Sequence, residues 1–494
     1  MTSSSPDRTR TTSPSGPPPE CPAHAGAGST DGLARLFGPE AAADPMGMYE
    51  RLRAEHGPVA PVLLDGDLPA WLVVGYREIL EVAGTPGRFS RDSRTWRWFK
   101  EGKVPPDSPL LPMIAWQPVC LFLDGAERDR LRTAVTDSLS RFHHQGIRRH
   151  IIRFAHQLTD EFSERGKADL VAEYTEQLPM LVLTQLLGMP DEFGPRLVAA
   201  SRDMVAGTET SVASNEFIVE TLADLVRRKR KDLGQDIASW LIEHPSGLTD
   251  EEVWNHLRVI LIAANETTVN LLKSTLRMVL TDPRCHASLA GGQMVLPDVV
   301  EHVLWTEPPL MTIPGRWAAV DTEIGGQKVE AGDMLLLGLA AGNHDPAARP
   351  DPSAPLYGNR GHLAFSSGSQ ECPGQNIGRA IADTGIDTLL ARLPDARLSI
   401  PETDLRWVSG WMTRHLTSLP VTFTPGPRHF SASDDGAAGT VPGPGAPSDA
   451  RDAAAPGSEP AADAPLPPVP PYPSTPPHRS RRSWWGSLRA WLRG

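Results

Sequence analysis

Thr249 followed by Glu252 forms a capping box, a start signal for a helix. Behind it the chain reads VWNHLRVILIAANETTVNLLKSTLRMVL from Val253 to Leu280, with helical periodicity throughout. A helix of that length, apolar on most sides, must be buried along most of its course. It predicts a large domain built around one central crossing helix. The chain has 494 residues, 40% of them hydrophobic, so a core of that size can be filled. Further helical periodicity recurs in ERDRLRTAVTDSLS, GIRRHIIRFAHQLTDEF, YTEQLPMLVLTQLLGM, FIVETLADLVRRKRKDL and DVVEHVLW. Asp44 and Pro45 open another helix, with proline at a tolerated first-turn position. The stretch APVLLDGDLPAWLVVGY reads as two strands across a turn, and shorter strands are expected near Trp317 to Val329 and Met334 to Leu339. The expected fold is mainly α with minor β, a single large helix-rich domain.

Proline divides the chain. Residues 1–28 are polar and proline-rich, and their composition predicts a disordered tail. The folded domain is expected over 29–425. Residues 426–477 form an Ala/Pro/Gly/Asp linker ending in PLPPVPPYPSTPP, which favours extended polyproline II. Residues 478–494 are basic, and Trp484, Trp485, Leu488, Trp491 and Leu492 would share one stripe of a helix. Such a segment suits an anionic membrane surface or a groove on a protein.

A formal charge of −12 argues against nucleic acid as a partner, because such binders carry a basic footprint. No early apolar run resembles a signal peptide, and no stretch reaches the ~20 apolar residues of a membrane-spanning helix. The four cysteines, Cys21, Cys120, Cys285 and Cys372, are scattered without a CxxC pair. That fits a reducing cytoplasm, with attachment at the inner face of the membrane as the further expectation for the C-terminal segment.

A lone cysteine in such a protein is ordinarily a small buried hydrophobe. Cys372 has unusual surroundings, FSSGSQECPGQNIG, with Gly368 and Gly374 removing side chains beside it. A helix beginning at Gln375 would favour its thiolate. A thiolate suits haem iron as an axial ligand, since it favours O–O cleavage.

HLAFSSGSQECPGQNIGRA resembles the haem-binding loop of the cytochrome P-450 superfamily, the haem-thiolate monooxygenases. Phe365, Gly368, Cys372 and Gly374 match its Phe-x-x-Gly-x-x-x-Cys-x-Gly pattern. AANETT on the long helix is similar to the family's oxygen-activation segment, DGAERDRLR and PGRWA to its propionate-binding segments, and LAAGNHDP and LPVTF are also family-like. The resemblance spans roughly residues 30 to 425 and implies haem b, with Cys372 as the iron ligand. It implies Arg128, Arg132 and Arg316 as hydrogen-bond donors to the propionates, where a guanidinium matches a carboxylate. Each arginine taken alone would read as a solvated surface charge. Gln370 stands at another propionate position, and Ala263 lies on the haem-facing helix. Glu266 and Thr267 form the acid–alcohol pair that relays protons to dioxygen. Without the resemblance they would read as a surface acid and a hydroxyl bonded back to its own helix.

The departures concern the same region. The family's Glu-x-x-Arg pair, one helical turn apart, aligns with His302 and Trp305. Glu301 does not restore it, because Leu304 lies three residues on. The ion pair is therefore expected to be missing, with His–Trp packing or an indole hydrogen bond in its place. Gln370 replaces a cation, Arg128 a common histidine, and Ala264 a glycine; Ser366 and Glu371 are unusual in the loop.

The resemblance implies insertion of one oxygen atom of O2 into an apolar small molecule. Electrons would come from a separate ferredoxin and reductase, since nothing after Pro425 could fold as a flavin domain. The pocket is expected from Trp96, Trp98 and Phe99, from Leu310, Met311 and Ile313, and from Trp411 and Met412. The rival reading is a catalytically impaired haem-binding sensor or scaffold acting through its tails.

Overall fold

The computed structural model describes residues 32–429, apart from 106–107, 109, 143, 207–209, 284, 286–293, 350, 352–355 and 357. The chain divides after His429 into two units, and all described residues fall in the first. The N-terminal tail, most of the linker and the C-terminal segment lie outside the described residues.

The central helix runs from Asp250 to Thr281 and carries the expected capping box, with Glu252 N donating to Thr249 Oγ1 and Thr249 N to Glu252 Oε2. Leu257, Leu261, Leu271, Leu272 and Leu276 bury its flanks in the largest core cluster. That cluster also takes Ile151 and Phe154 from the helix His144–Asp160, and Ile381 and Ile386 from Gln375–Arg392. The helix Leu296–Thr306 packs on the same assembly through Val300, Val303 and Leu304. Helices dominate because these periodic segments find one another around a single buried axis. The segment before Leu178 differs from expectation: Val171–Thr175 closes into a π-turn ahead of the helix Leu178–Leu187.

One sheet of six short strands stands at the side. Its order is Ala34–Arg35, Val59–Leu64, Leu68–Val73, Met334–Leu337, Ile313–Ala318, Phe89–Ser90. Val59–Leu64 and Leu68–Val73 pair antiparallel around their turn, as expected. The sequence reading did not anticipate that two-residue strands at Ala34 and Phe89 would complete the edges. Their local pattern is too short to carry a period.

The aromatic and methionine segments partly converge. Trp96, Met311 and Trp411 share one core cluster, with Trp98 and Met412 packed against it. Met311 N donates to Met412 O at 2.8 Å, and Thr312 Oγ1 to Trp411 O at 2.7 Å, which locks the two segments together. Leu310 and Ile313 instead pack on a third cluster beneath the sheet, and Phe99 is exposed.

Candidate functional site

Cys372 precedes the helix Gln375–Arg392 and is partly exposed. Its backbone N donates to Phe365 O at 2.9 Å, closing the loop onto itself. Burial pushes its thiol up, against the lowering influence of the Gly374 N–H, Arg132 and Arg379. The Gly374 N–H at the helix start favours the thiolate, as expected, and desolvation opposes it. Desolvation outweighs the amides until a charge partner such as a metal is present.

Gly368 has a φ of 67°, and a Cβ there would stand 2.4 Å from Ala83 O. No side chain fits against that backbone. Phe365 lies between His362, at 5.7 Å between ring centroids, and the Arg379 guanidinium, 4.4 Å from its ring. Ser366 adopts a φ of 59° without being glycine. A left-handed conformation costs an L-residue about 1–2 kcal/mol, so Ser366→Gly is expected to raise stability by about 1 kcal/mol in denaturant unfolding.

Arg316 reaches the site from the strand Ile313–Ala318, where the register slips between Ile313 and Arg316. Gly315 sits at that bulge with a φ of 86°, and a Cβ there would approach Arg91 Nη1 to 3.0 Å. The bulge turns Arg316 inward. It is 3% exposed, and among the described residues its side chain makes one hydrogen bond, a 3.3 Å contact from Nη1 to Gly315 O. Burial depresses its pKa well below the usual guanidinium value, reinforced by the Arg91 charge beside it and opposed by Asp124. Arg91, which sequence reasoning missed, is also buried and is brought down to about 10 by desolvation. It donates to Leu121 O, Pro314 O and Gly315 O.

Arg128 pairs with Asp129, yet its Nε is buried without a partner, as is Trp116 Nε1. Arg132 donates to Glu371 O, and its pKa is lowered by burial. Gln370 Nε2 reaches toward Cys120 O at 3.4 Å. Cys120 N in turn donates to His256 Nε2 on the central helix, at 3.1 Å. Two adjacent buried guanidiniums with one carboxylate between them, and unpaired donors at Arg128 and Trp116, suit a ligand bearing two carboxylates. These residues fit haem and its propionates.

The residues expected on the distal side lie midway along the central helix. Ile262, at 37%, and Ala263 are exposed in a helix otherwise buried on nearly all sides. Ala264 is partly buried against the main core. Thr267 Oγ1 donates to Ala263 O at 2.8 Å, the back-bond of an ordinary helical threonine. Glu266 is no surface acid. Burial raises its pKa, with Lys273 lowering it and Glu176 raising it further.

As expected, the helix Leu296–Thr306 holds no Glu-x-x-Arg pair, but Glu301 makes an ion pair of another kind, which the expectation did not include. Glu301 is buried and receives Arg379 Nε at 2.5 Å and Nη2 at 3.3 Å, from the helix that follows Cys372. His362 Nε2 lies 3.0 Å from Glu301 Oε2, the oxygen that Arg379 Nη2 also reaches. Burial alone would raise the Glu301 pKa, but His362 and Arg379 bring it to about 2. The cation therefore comes from a different helix, not from three residues along the same one. Trp305 is buried, donates its indole to Asn359 O at 2.8 Å, and meets His362 edge-on. The anticipated indole hydrogen bond is present, whereas the histidine in ring contact with Trp305 is His362, where His302 was anticipated. A charge inside the apolar run Val299 to Leu304 was the signal that Glu301 is buried and must find a cation.

No family model matches the chain. It is 30% identical over 392 residues to 2-hydroxy-5-methyl-1-naphthoate 7-hydroxylase of Streptomyces carzinostaticus, covering 77% of this chain and 95% of that protein. It is 31% identical over 403 residues to the cytochrome P450 monooxygenase PikC of Streptomyces venezuelae, covering 79% and 94%. The solved structure of CYP154C4 from Streptomyces sp. W2061 superposes with a TM-score of 0.71 at 26% identity, over 80% of this chain and 98% of that one. Among the described residues no helix is long and apolar enough to cross a membrane. With a helix-rich fold, a cysteine loop backed by buried arginines and relatives matched over nearly their whole length, the chain belongs to the cytochrome P450 superfamily of haem-thiolate monooxygenases.

Proposed function

We propose that this protein inserts one oxygen atom of O2 into an apolar-bodied small molecule, with electrons from a separate ferredoxin and reductase. The observation that carries this reading is the open face at Ile262 and Ala263, directly beside Glu266 and Thr267 on an otherwise buried helix. Haem, when bound, supplies the dioxygen chemistry. Cys372 is its iron ligand in this reading. Arg128, Arg132 and Arg316 bind its propionates, and Phe365, Gly368 and Gln370 shape the loop beneath it. At Gly374 a Cβ would make only an ordinary contact with Sγ, at 3.9 Å. Thr267 has committed its hydroxyl proton to Ala263 O, so its oxygen lone pairs remain to accept a proton donor. Glu266, kept protonated to higher pH by burial, is the group that replenishes that proton. The likeness to a naphthoate hydroxylase supports oxidation of a carbon skeleton.

The test is a reduced carbon monoxide difference spectrum, which should carry the red-shifted band of thiolate ligation, followed by turnover with a ferredoxin and reductase. Thr267→Ala should then consume oxygen and reductant but release mainly peroxide, with peroxide-driven oxidation less affected. Equal coupling in both proteins would remove Thr267 from proton delivery. A haem-binding sensor, the rival reading, would form no product with any donor in either protein. Residues 478–494, outside the described residues, would engage an anionic surface or a protein groove. A chain ending at Pro477 should then lose sedimentation with anionic liposomes that the full chain shows at low salt.

A further inference from the structure

Arg258 lies on the central helix two turns before Glu266. Arg258, Ile262 and Glu266 follow the i, i+4, i+8 spacing of one helix row. Its guanidinium is held by two further elements. Nη2 donates to Asn215 Oδ1 at 2.9 Å, on the helix Ser211–Lys229, and Nη1 to Gln117 Oε1 at 3.3 Å, in the loop before Cys120. Nε is buried with no partner. Among the described residues no carboxylate pairs with Arg258. Both partners are neutral amides, which orient the guanidinium without neutralising it.

Other enclosed cations on the same helix are treated differently. Lys273 meets Glu176, and Arg277 meets both Glu307 and Glu402. Arg258 is half-buried, and a cation partly withdrawn from water without an anion carries a desolvation cost that an apolar residue would not. The row it shares leads along the helix to the exposed Ile262 and on to Glu266. The unpartnered Nε–H and the remaining Nη hydrogens can grip a carboxylate in the planar fork that guanidinium offers.

We propose that Arg258 is the anion-recognition residue of the substrate site, and that the substrate is an amphiphile with an apolar body and one carboxylate. The inference rests on the proposed monooxygenase reading and names its substrate class. Eight helix residues at 1.5 Å each separate Arg258 from Glu266 by about 12 Å along the axis. The carbon presented for oxidation accordingly lies on the order of 10 Å from the carboxylate, toward the far end of a medium-length ligand.

The haem-loaded full chain is titrated with dodecanoate and with dodecanamide, reading the Soret shift, with equilibrium dialysis as the second measure. Wild type should bind the carboxylate roughly tenfold or more tightly than the amide, as expected for one desolvated charge pair. Arg258→Met should abolish that preference, while Arg258→Lys keeps part of it. Asn215→Asp supplies an internal carboxylate to the guanidinium and should also erase the preference. It remains informative if Arg258→Met fails to fold. A wild type that binds both ligands equally, or a preference that survives in Arg258→Met or Asn215→Asp, overturns the assignment. If the thiolate-type carbon monoxide band is present in these proteins, such a result leaves the monooxygenase reading standing. If that band is absent from wild type, the haem-thiolate reading has failed instead, and this inference with it.

Discussion

Cys372→Ala is expected to abolish the red-shifted ferrous–carbon monoxide band of a thiolate-ligated haem. The fold should survive the change, because the loop is closed by the backbone bond from Cys372 N to Phe365 O, which alanine retains. No other described cysteine is placed to substitute. Cys285 is buried, and desolvation together with Asp282 pushes its thiol to about 11. Cys120 is buried too, with its thiol raised by desolvation and only partly countered by Arg132, Arg128 and Arg91. Neither stands at the start of a long helix beside a glycine. A thiolate is the form that binds iron, so a site must stabilise the anion once the metal's charge is added. The expected spectrum of the variant is that of a protein with haem lost or bound through another ligand. Retention of the thiolate band would overturn the assignment and direct attention to Cys120, which lies next to the loop through Gln370.

Glu301→Ala should cost about 3–5 kcal/mol in unfolding free energy, the usual penalty for stripping one partner from a buried ion pair. Arg379 would remain in the interior facing Gln375, His362 and the Phe365 ring, and both it and His362 would lose their bond to this carboxylate. Haem retention should fall in parallel, since Arg379 sits on the helix that follows Cys372 and stacks on Phe365. Denaturant unfolding and haem content after gel filtration measure the two effects. The pH dependence has a defined sign. Glu301 is held near 2 in the folded protein, below the ordinary carboxylate value of about 4.3. Its contribution is therefore present above that ordinary value and is lost as the pH falls toward 2. Wild type and variant should converge in stability over that acid range. A variant as stable as wild type at neutral pH would show that this pair does not hold the helix to the loop.

The parts of this protein that were legible in its sequence are those whose signals are local. A capping box and a continuous period reveal the central helix, because Thr249 and Glu252 lie within one turn of each other. The loop was legible through the family resemblance carried by Phe365, Gly368, Cys372 and Gly374, and Gly368 is the glycine at which neighbouring backbone excludes a side chain. Even the absence of an arginine at Trp305 could be seen. Its remedy could not, since Glu301 finds its cation 78 positions away on another helix. The same holds for Arg258 and Arg316. Each reads as one more basic residue until packing decides whether an acid faces it. Arg277 and Arg258 lie on one helix, yet among the described residues the first is met by Glu307 and Glu402 and the second by the amides of Gln117 and Asn215. Backbone preference acts over a few neighbours, whereas the free energy of a buried charge depends on whatever surrounds it in space, and only the tertiary structure sets those surroundings.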